Sequence, residues 1–287
     1  MRPARHDDFR LPELRFVPVE TLIPHERHDG QRLEPLIRRF RELAVLRNPP
    51  IVAPLPNDEA AAVHYMVLDG ANRSTAAREA GFPHVVVQIV TYEAPGVHLS
   101  TWHHALSGLR REEFEGACGR IAGIDGHRES VLHARALLAR REALAYAVHA
   151  DGSAIAFTGG RTLEERNQLL NALVDVYRER TRFYRMSTES FEVARERHPD
   201  ATSLVVFPHF EPAEVLELAG SGARLPAGIT RHLIRWRALR LNIPLERLAD
   251  ASRSLEEKNR WLQEWIQDKW AQRQVRFYEE STVLFDE

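Results

Sequence analysis

The 287-residue sequence contains a single cysteine, no long hydrophobic run and no excess of basic residues. One thiol, Cys118, excludes an internal disulfide and any zinc site built from several cysteines. Its helical-looking surroundings predict a buried, unreactive thiol. No apolar stretch reaches the roughly 18 residues that a membrane-spanning helix requires. The first ten residues are polar and lack the apolar core of a signal peptide, so we expect a cytoplasmic protein with no membrane partner.

The charge balance is close to neutral. There are 39 Lys and Arg residues against 41 Asp and Glu residues, for a formal net charge of −2. Proteins dedicated to nucleic acids usually carry a basic surplus or a concentrated basic stripe. Here acidic and basic residues are interleaved, which argues against DNA as the main partner and leaves room for a local basic patch.

Strand and helix patterns alternate in the first part of the chain. The hydrophobic periodicity predicts strands over 15–19, 50–55, 64–68 and 85–90, and a helix over 33–43. These elements predict a compact α/β unit, and we place its boundary near residue 95. The predicted fold class is α/β, with helices and strands mixed as in α+β proteins. We expect two units, at 1–95 and 96–287.

The second part also mixes helices and strands. The periodicity and turn signals predict a β-hairpin over 144–158 around Asp151-Gly152, a helix over 163–180, a buried strand over 203–207 and a long helix over 255–276. The long helix carries Trp261, Trp265 and Trp270, which we expect to pack against the core or a second subunit. A homodimer is therefore possible.

The most informative segment runs from Tyr65 to Gly81. An apolar strand reaches Asp69-Gly70, and a helix follows at once. The start of a helix offers unpaired N–H groups and the positive end of the helix dipole, and Gly70 lets the backbone approach a ligand closely. We expect Arg73 and Ser74, in the first turn, to face an anion. The segment predicts a phosphate cradle with the Asp69 carboxylate beside it, which suggests phosphoryl transfer.

A purely structural interpretation of this segment stays open. Asp-Gly before a helix is often only a turn and a helix cap, and Asn72 could be the capping residue. The segment also lacks the Gly-Lys-Ser/Thr ending of a P-loop, so that assignment does not apply.

Three motifs together resemble the ParB/sulfiredoxin superfamily and, within it, the free serine kinases. They are Leu22-Ile23-Pro24-His25-Glu26, Leu68-Asp69-Gly70-Ala71-Asn72-Arg73 and Pro226-Ala227-Gly228-Ile229-Thr230-Arg231-His232. The likeness in order spans about residues 14 to 250. It implies a ParB/sulfiredoxin-like N-terminal unit that binds a nucleotide and a second part that binds the acceptor. The implied reaction moves a phosphoryl group from ATP or ADP, with Mg²⁺, to free L-serine and gives O-phospho-L-serine.

The resemblance also implies roles for individual residues. Glu26 would be the general base, and Asp69 would assist at the hydroxyl or hold Mg²⁺. The nucleotide would be bound by Gly70, Ala71, Asn72, Arg73 and Ser74. The acceptor amino acid would be bound by Thr230, Arg231 and His232, with Arg231 on its carboxylate.

The local sequence of two of these motifs is also compatible with a purely structural role. A lone Glu after His25 is commonly a surface residue, and Thr-Arg-His is compatible with a helix cap and solvent-facing polar groups. Relatives tend to have two histidines where this chain has Ala71-Asn72, so the donor, ATP or ADP, stays open.

Two other branches of the superfamily are rivals. A sulfiredoxin-type reductase needs a reactive cysteine in the phosphate turn, but residue 71 is alanine and Cys118 lies outside the turn. A ParB-like nucleotide-dependent DNA-binding transcriptional regulator is the alternative function, and DNA is a possible secondary partner. It would need a helix-turn-helix with a basic face after the α/β unit. The helical-looking segment Arg110–Arg141 has glycine breaks and many acidic residues, which favour a solvated surface.

Overall fold

The computed structural model describes residues 11–27, 44–56 and 63–278. The predicted helix over 33–43 lies outside these residues. The strands are β1 Glu13–Pro18, β2 Leu22–Pro24, β3 Val45–Leu46, β4 Ile51–Pro54, β5 Tyr65–Asp69, β6 His84–Ile89, β7 Val97–Thr101, β8 His103–Ser107, β9 Asp125–Glu129, β10 Ala145–His149, β11 Ala154–Thr158, β12 Arg182–Met186, β13 Ala201–Val206, β14 Thr230–Ile234 and β15 Ile243–Pro244. The α-helices are α1 Ala71–Glu79, α2 Arg111–Cys118, α3 Val131–Ala139, α4 Leu163–Arg178, α5 Phe191–Arg197, α6 Pro212–Gly220, α7 Leu245–Ala249 and α8 Leu255–Ala271.

A five-stranded sheet in the order β1-β6-β4-β5-β2 forms the centre of the first unit. Strands β2 and β5 are parallel neighbours, with Leu22 opposite Tyr65 and Pro24 opposite Val67. The carboxyl ends of parallel strands meet at one edge of a sheet. The His25-Glu26 and Asp69-Gly70 segments therefore start from the same edge, although more than 40 residues separate them in sequence.

The C-terminal helix α8 packs on this sheet. Trp261 and Trp265 join the apolar cluster of the first unit, which confirms the predicted packing face for these two rings. Trp270, near the helix end, is 52% exposed. The Asn259 side chain bonds both polar groups of the Phe16 backbone, accepting from its N–H at 2.8 Å and donating to its carbonyl at 3.0 Å. It thereby occupies the outer edge of β1 as a neighbouring strand would.

The second sheet has six strands in the order β12-β8-β13-β10-β11-β9. The predicted hairpin is confirmed, with Ala145 opposite Phe157 across β10 and β11. The predicted capping box of α4 is present between Thr162 and Glu165. The buried strand near 203–207 is confirmed as β13, and the helix predicted over 255–276 ends earlier, at Ala271.

The segment Arg110–Arg141 is not helical throughout, and that prediction was wrong in its middle. Its centre forms the edge strand β9, which pairs with β11 from Glu129 opposite Ala154 to Asp125 opposite Thr158. The residues Asp-Gly-His-Arg-Glu have no strand propensity of their own, so tertiary pairing decides their conformation.

Two further observations concern single predictions. Cys118 is fully buried in α2, and burial raises the pKa of its thiol to about 12, which confirms the buried, unreactive thiol. Within the described ranges, none of the helices combines the length and apolar character needed to cross a bilayer.

Candidate active site

Glu26 lies just after β2 and is held by residues from the segment that leads into β14. It forms a parallel bridge with Leu225, and its carboxylate accepts three hydrogen bonds. The N–H of Gly228 donates to Oε2 at 2.8 Å, and the N–H and hydroxyl of Thr230 donate to Oε1 at 2.7 and 2.5 Å. The side chain is 16% exposed, so Glu26 is not the free surface residue that its local sequence allowed. Because a carboxylate has about four acceptor positions, one stays available on Oε2.

His25 continues this network into the first sheet. Its Nδ1 lies 2.5 Å from the carbonyl oxygen of Val67 in β5, and its Nε2 lies 2.7 Å from the hydroxyl of Thr230. The carbonyl is only an acceptor, so Nδ1 carries a proton. The hydroxyl of Thr230 has one proton, so it can donate to Glu26 or to His25 but not to both at once. It therefore lies between the carboxylate and the imidazole and contacts both.

His232 lies beside His25 on the same face of β14 as Thr230. The two imidazole rings are in edge-to-face contact with their centroids 5.0 Å apart. Nε2 of His232 is 2.8 Å from the hydroxyl of Tyr92. Burial, followed by the neighbouring His25, lowers the pKa of His232 well below its usual value, and a hydrogen bond to the Leu68 backbone opposes this only in part. His232 is therefore a neutral, fixed hydrogen-bonding group.

Arg231 faces the other way. Side chains alternate between the two faces of a strand, so Arg231 points away from the face that Thr230 and His232 share. Its guanidinium lies over the ring of Trp102, 4.4 Å from the ring centroid. The Thr-Arg-His motif thus lies on a strand paired with β7 rather than at a helix cap. The side chain of Arg231 is therefore on the opposite face of the strand from those of Thr230 and His232.

The predicted strand-turn-helix at Asp69-Gly70 is present. Gly70 is the N-cap of α1 and has a left-handed backbone conformation with φ of 87°. A Cβ atom there would lie 2.9 Å from the guanidinium of Arg73 and 3.0 Å from Cα of Pro50. Glycine is therefore required both by the backbone angle and by the close approach of these groups. The cap is not Asn72, and no side chain caps this helix.

The side chains of the turn differ in where they point. Arg73 bends back to Asp69, with Nη2 3.1 Å from Oδ2. Ser74 is buried, and both its hydroxyl and its N–H donate to the carbonyl of Gly70, at 3.2 and 3.0 Å. Both polar groups of Ser74 thus bond the backbone within the helix, and its contact with a nucleotide stays a prediction. Ala71 and Asn72 are partly buried in the first turn.

Asp69 also contacts a residue that sequence reasoning missed. Arg237 forms an ion pair with Oδ2 of Asp69. The contact spans 168 residues, and Arg237 lies in an arginine-rich stretch whose pattern offers no signal for this one position. Tyr92 was also missed, and burial together with the charge of Glu26 raises its pKa.

A metal ion has a limited set of ligands here. In the described part of the chain, no group of three or more His, Cys, Asp or Glu side chains is arranged to hold a metal. Mg²⁺ commonly uses one or two carboxylates together with substrate phosphates, so Asp69 alone beside a phosphate cradle fits that cation.

The fold is that of the free serine kinases. A free serine kinase in complex with AMP matches with a TM-score of 0.71 at 18% identity, over 83% of this chain and 95% of that chain. C-terminally truncated SbnI from Staphylococcus aureus matches with a TM-score of 0.69 at 22% identity, over 90% of this chain and 97% of that chain. No family model matches the sequence.

Sequence comparisons lead to the same group of proteins. An ATP-dependent L-serine kinase of Staphylothermus marinus is 35% identical over 93 residues, which are 32% of this chain and 35% of the relative. One from Desulfurococcus mucosus is 27% identical over 45% of this chain and 49% of the relative. The ATP-dependent L-serine kinase SbnI of Staphylococcus aureus is 24% identical over 96% and 97% of the two chains. The chain thus matches a third to a half of the first two relatives, and the resemblance to the free serine kinases is confirmed.

Proposed function

We propose that this protein transfers the terminal phosphoryl group of ATP to the hydroxyl of free L-serine and releases O-phospho-L-serine. One observation carries the proposal: Glu26, Val67 in the middle of β5 and Thr230, from three distant parts of the sequence, belong to one hydrogen-bond network through His25. The choice of ATP follows the names of the three sequence relatives, each an ATP-dependent L-serine kinase.

Glu26 is the proposed general base. A serine hydroxyl is a weak nucleophile, so a carboxylate that takes its proton as the new O–P bond forms lowers the barrier. The donors from Gly228 and Thr230 fix the carboxylate and leave an acceptor position for the substrate hydroxyl. Thr230 then offers the proton a path toward His25, which lies on the far side of its hydroxyl.

The start of α1 is the proposed phosphate site. The unpaired N–H groups of its first turn, from Gly70, Ala71 and Asn72 onward, act with the helix dipole and with Arg73 to stabilise the phosphates. Its first turn contains no acidic residue that would oppose an anion. Mg²⁺, when bound with the nucleotide, would neutralise phosphate charge, and Asp69 is the carboxylate placed to hold it.

The proposed acceptor site lies on β14. Thr230 and neutral His232 provide fixed hydrogen-bonding groups beside Glu26. Arg231, which stacks on Trp102, stays in the proposal as the cation for the serine carboxylate.

The structure gives the alternative DNA-binding regulator less support. A ParB-like regulator would need a helix-turn-helix, and the segment Arg110–Arg141 instead places strand β9 between two short helices and pairs it with the second sheet. DNA as a secondary partner and a homodimer stay predictions.

The test is a product assay with matched acceptors and donors. The protein is incubated with Mg²⁺, with ATP or ADP, and with L-serine, L-threonine or L-homoserine, and products are followed by ³¹P NMR. We expect a phosphomonoester signal with ATP and L-serine. Its absence with every donor and acceptor would refute the kinase assignment, and product with ADP alone would change the donor. A gel-shift titration at physiological salt tests the DNA alternative on the same sample.

A further inference from the structure

Arg237 makes a contact that the proposed reaction does not yet use. Its guanidinium pairs with Asp69, the last residue of β5, on the same oxygen that Arg73 contacts. Two guanidinium groups therefore surround one carboxylate at the lip of the phosphate cradle. Both guanidinium groups thus lie next to the strand-turn-helix that begins α1.

The backbone around Arg237 is fixed by a buried side chain. Gln88 of β6 is 2% exposed, and its amide bonds both neighbours of Arg237. Its Nε2 donates to the carbonyl of Trp236 at 2.9 Å, and its Oε1 accepts from the N–H of Ala238 at 2.8 Å. The amide of buried Gln88 thus bonds the backbone on both sides of Arg237, as a neighbouring strand would. The Arg237 side chain then reaches Asp69 at the end of β5.

A second buried amide fixes the same segment three residues later. The N–H of Arg240 donates to Oδ1 of Asn48 at 2.8 Å, and Asn48 is 7% exposed. Trp236 and Arg240 adopt left-handed backbone angles, with φ of 57° and 56°. Such angles cost free energy in residues other than glycine and persist only where the surroundings enforce them. The segment is therefore built to hold Arg237 in one place.

The charges at this place favour an anion. Arg237 side chain is 39% exposed and that of Asp69 is 36% exposed, so both are open to a ligand beside the start of α1. The helix dipole, the N–H groups and the two guanidinium groups attract phosphate, and the carboxylate of Asp69 opposes it. A pair of arginines on a bound phosphate is a common and strong arrangement because each can donate two hydrogen bonds.

We propose that Arg237 is a phosphate-binding residue of the nucleotide site. The ion pair with Asp69 holds the Arg237 side chain in position until the phosphates bind. This inference rests on the proposed kinase function and assigns it a second cation beside Arg73. Gln88 is then a positioning residue, because it acts on the ligand only through the backbone of Arg237.

Nucleotide affinity of an Arg237→Met variant tests the inference. Binding of ADP and of β,γ-methylene ATP is measured by titration calorimetry without an acceptor amino acid. We expect Arg237→Met to lower both affinities about 10- to 100-fold, the usual range for a lost charge-assisted contact. Arg237→Lys should recover part of the loss, since the charge returns without the two-pronged geometry. Unchanged affinity in Arg237→Met would overturn the inference.

Matched variants separate contact from structure. Arg235→Met removes the same charge two residues earlier and should leave both affinities within about twofold of the parent, because the carboxylate of Asp69 pairs with Arg73 and Arg237 and not with Arg235. Gln88→Met should show part of the loss of nucleotide affinity that Arg237→Met shows. The variant with both substitutions should bind nucleotide as weakly as Arg237→Met alone. A thermal melt without ligand checks folding: a lower melting temperature in Arg237→Met with full affinity would mean a structural ion pair and refute the inference. If the parent protein binds neither nucleotide, the proposed function itself fails.

Discussion

The amide and the hydroxyl of Thr230 both donate to Oε1 of Glu26, at 2.7 and 2.5 Å, although 204 positions separate the two residues in sequence. The carboxylate therefore has one orientation, set by a strand that belongs to the other part of the chain. Substitutions at either residue should change catalysis more than nucleotide binding, because neither belongs to the phosphate turn.

Glu26→Gln should reduce the turnover of L-serine about 10²- to 10⁴-fold, because the amide cannot take the hydroxyl proton. Nucleotide affinity should stay unchanged. Steady-state kinetics and ADP titration measure the two effects. Glu164→Gln, the same change on the exposed first turn of α4, serves as the control and should have near-parent activity. Near-normal turnover in Glu26→Gln would leave Asp69 as the remaining candidate base.

Gly70→Ala should weaken both folding and nucleotide binding. A left-handed alanine costs about 1–2 kcal/mol in unfolding free energy. The new Cβ would also push against Arg73 and Pro50. Gly81→Ala is the matched control, since Gly81 has a similar φ of 71° and no atom within 4 Å of the added Cβ. Chemical denaturation should show a loss for both variants, larger for Gly70→Ala because of these close contacts, whereas ADP titration should show a loss for Gly70→Ala only. Equal ADP affinities would argue against a ligand at this turn.

Arg231→Ala should raise the KM for L-serine at least about tenfold and leave the KM for the nucleotide unchanged, if Arg231 binds the acceptor carboxylate. The control is Arg182→Ala, which removes another arginine stacked on an aromatic ring, 5.1 Å from the centroid of Tyr184. Both variants lose a cation–π contact, so only the serine KM distinguishes them. An unchanged serine KM in Arg231→Ala would confine its role to packing on Trp102.

Stability should fall as the pH drops below about 6.5, because buried histidines bind protons more readily in the unfolded chain. Burial and then His209 lower the pKa of His103 from 6.5 to about 4, and burial lowers that of His104 to about 3. Each contributes stability that is present above pH 6.5 and lost toward its folded pKa, at about 1.4 kcal/mol per pH unit. Urea denaturation from pH 7 to 4 measures this slope.

His103→Asn tests the contribution of one histidine to this pH dependence of stability. Asparagine can still accept the hydrogen bond that the Phe207 N–H gives to Nδ1 of His103 at 3.2 Å, but it does not titrate. The variant should therefore flatten the slope by about 1.4 kcal/mol per pH unit between pH 6.5 and 4. A parent slope in His103→Asn would show that His103 takes up no proton on unfolding.

The sequence predicted those parts of the fold whose local signals agree with the tertiary structure. The Asp69-Gly70 turn, the capping box at Thr162 and the hairpin at Asp151-Gly152 each place a glycine or a helix cap next to residues that the fold buries. Strand β9 could not be predicted because its polar residues become a strand only through pairing with β11.

The motifs named candidate residues, and the structure adds contacts between them that no local pattern encodes. Glu26 and Thr230 were named, but their direct hydrogen bond follows from the packing of two units. The separation of Arg231 from its neighbours follows from the strand conformation, which the motif alone does not specify. Arg237 is one of several arginines in its stretch, and the structure distinguishes it by the ion pair with Asp69 and by the buried amide of Gln88.

The asparagine of α8 that bonds Phe16 has a consequence for solubility. An uncovered edge strand exposes unpaired backbone groups that can recruit another chain and start aggregation. Asn259 satisfies those groups at the middle of β1, and Trp261 covers the adjacent ring of Phe16. The helix therefore protects the sheet from intermolecular strand addition, and a chain cut before residue 255 should precipitate more readily while its phosphate turn stays chemically intact.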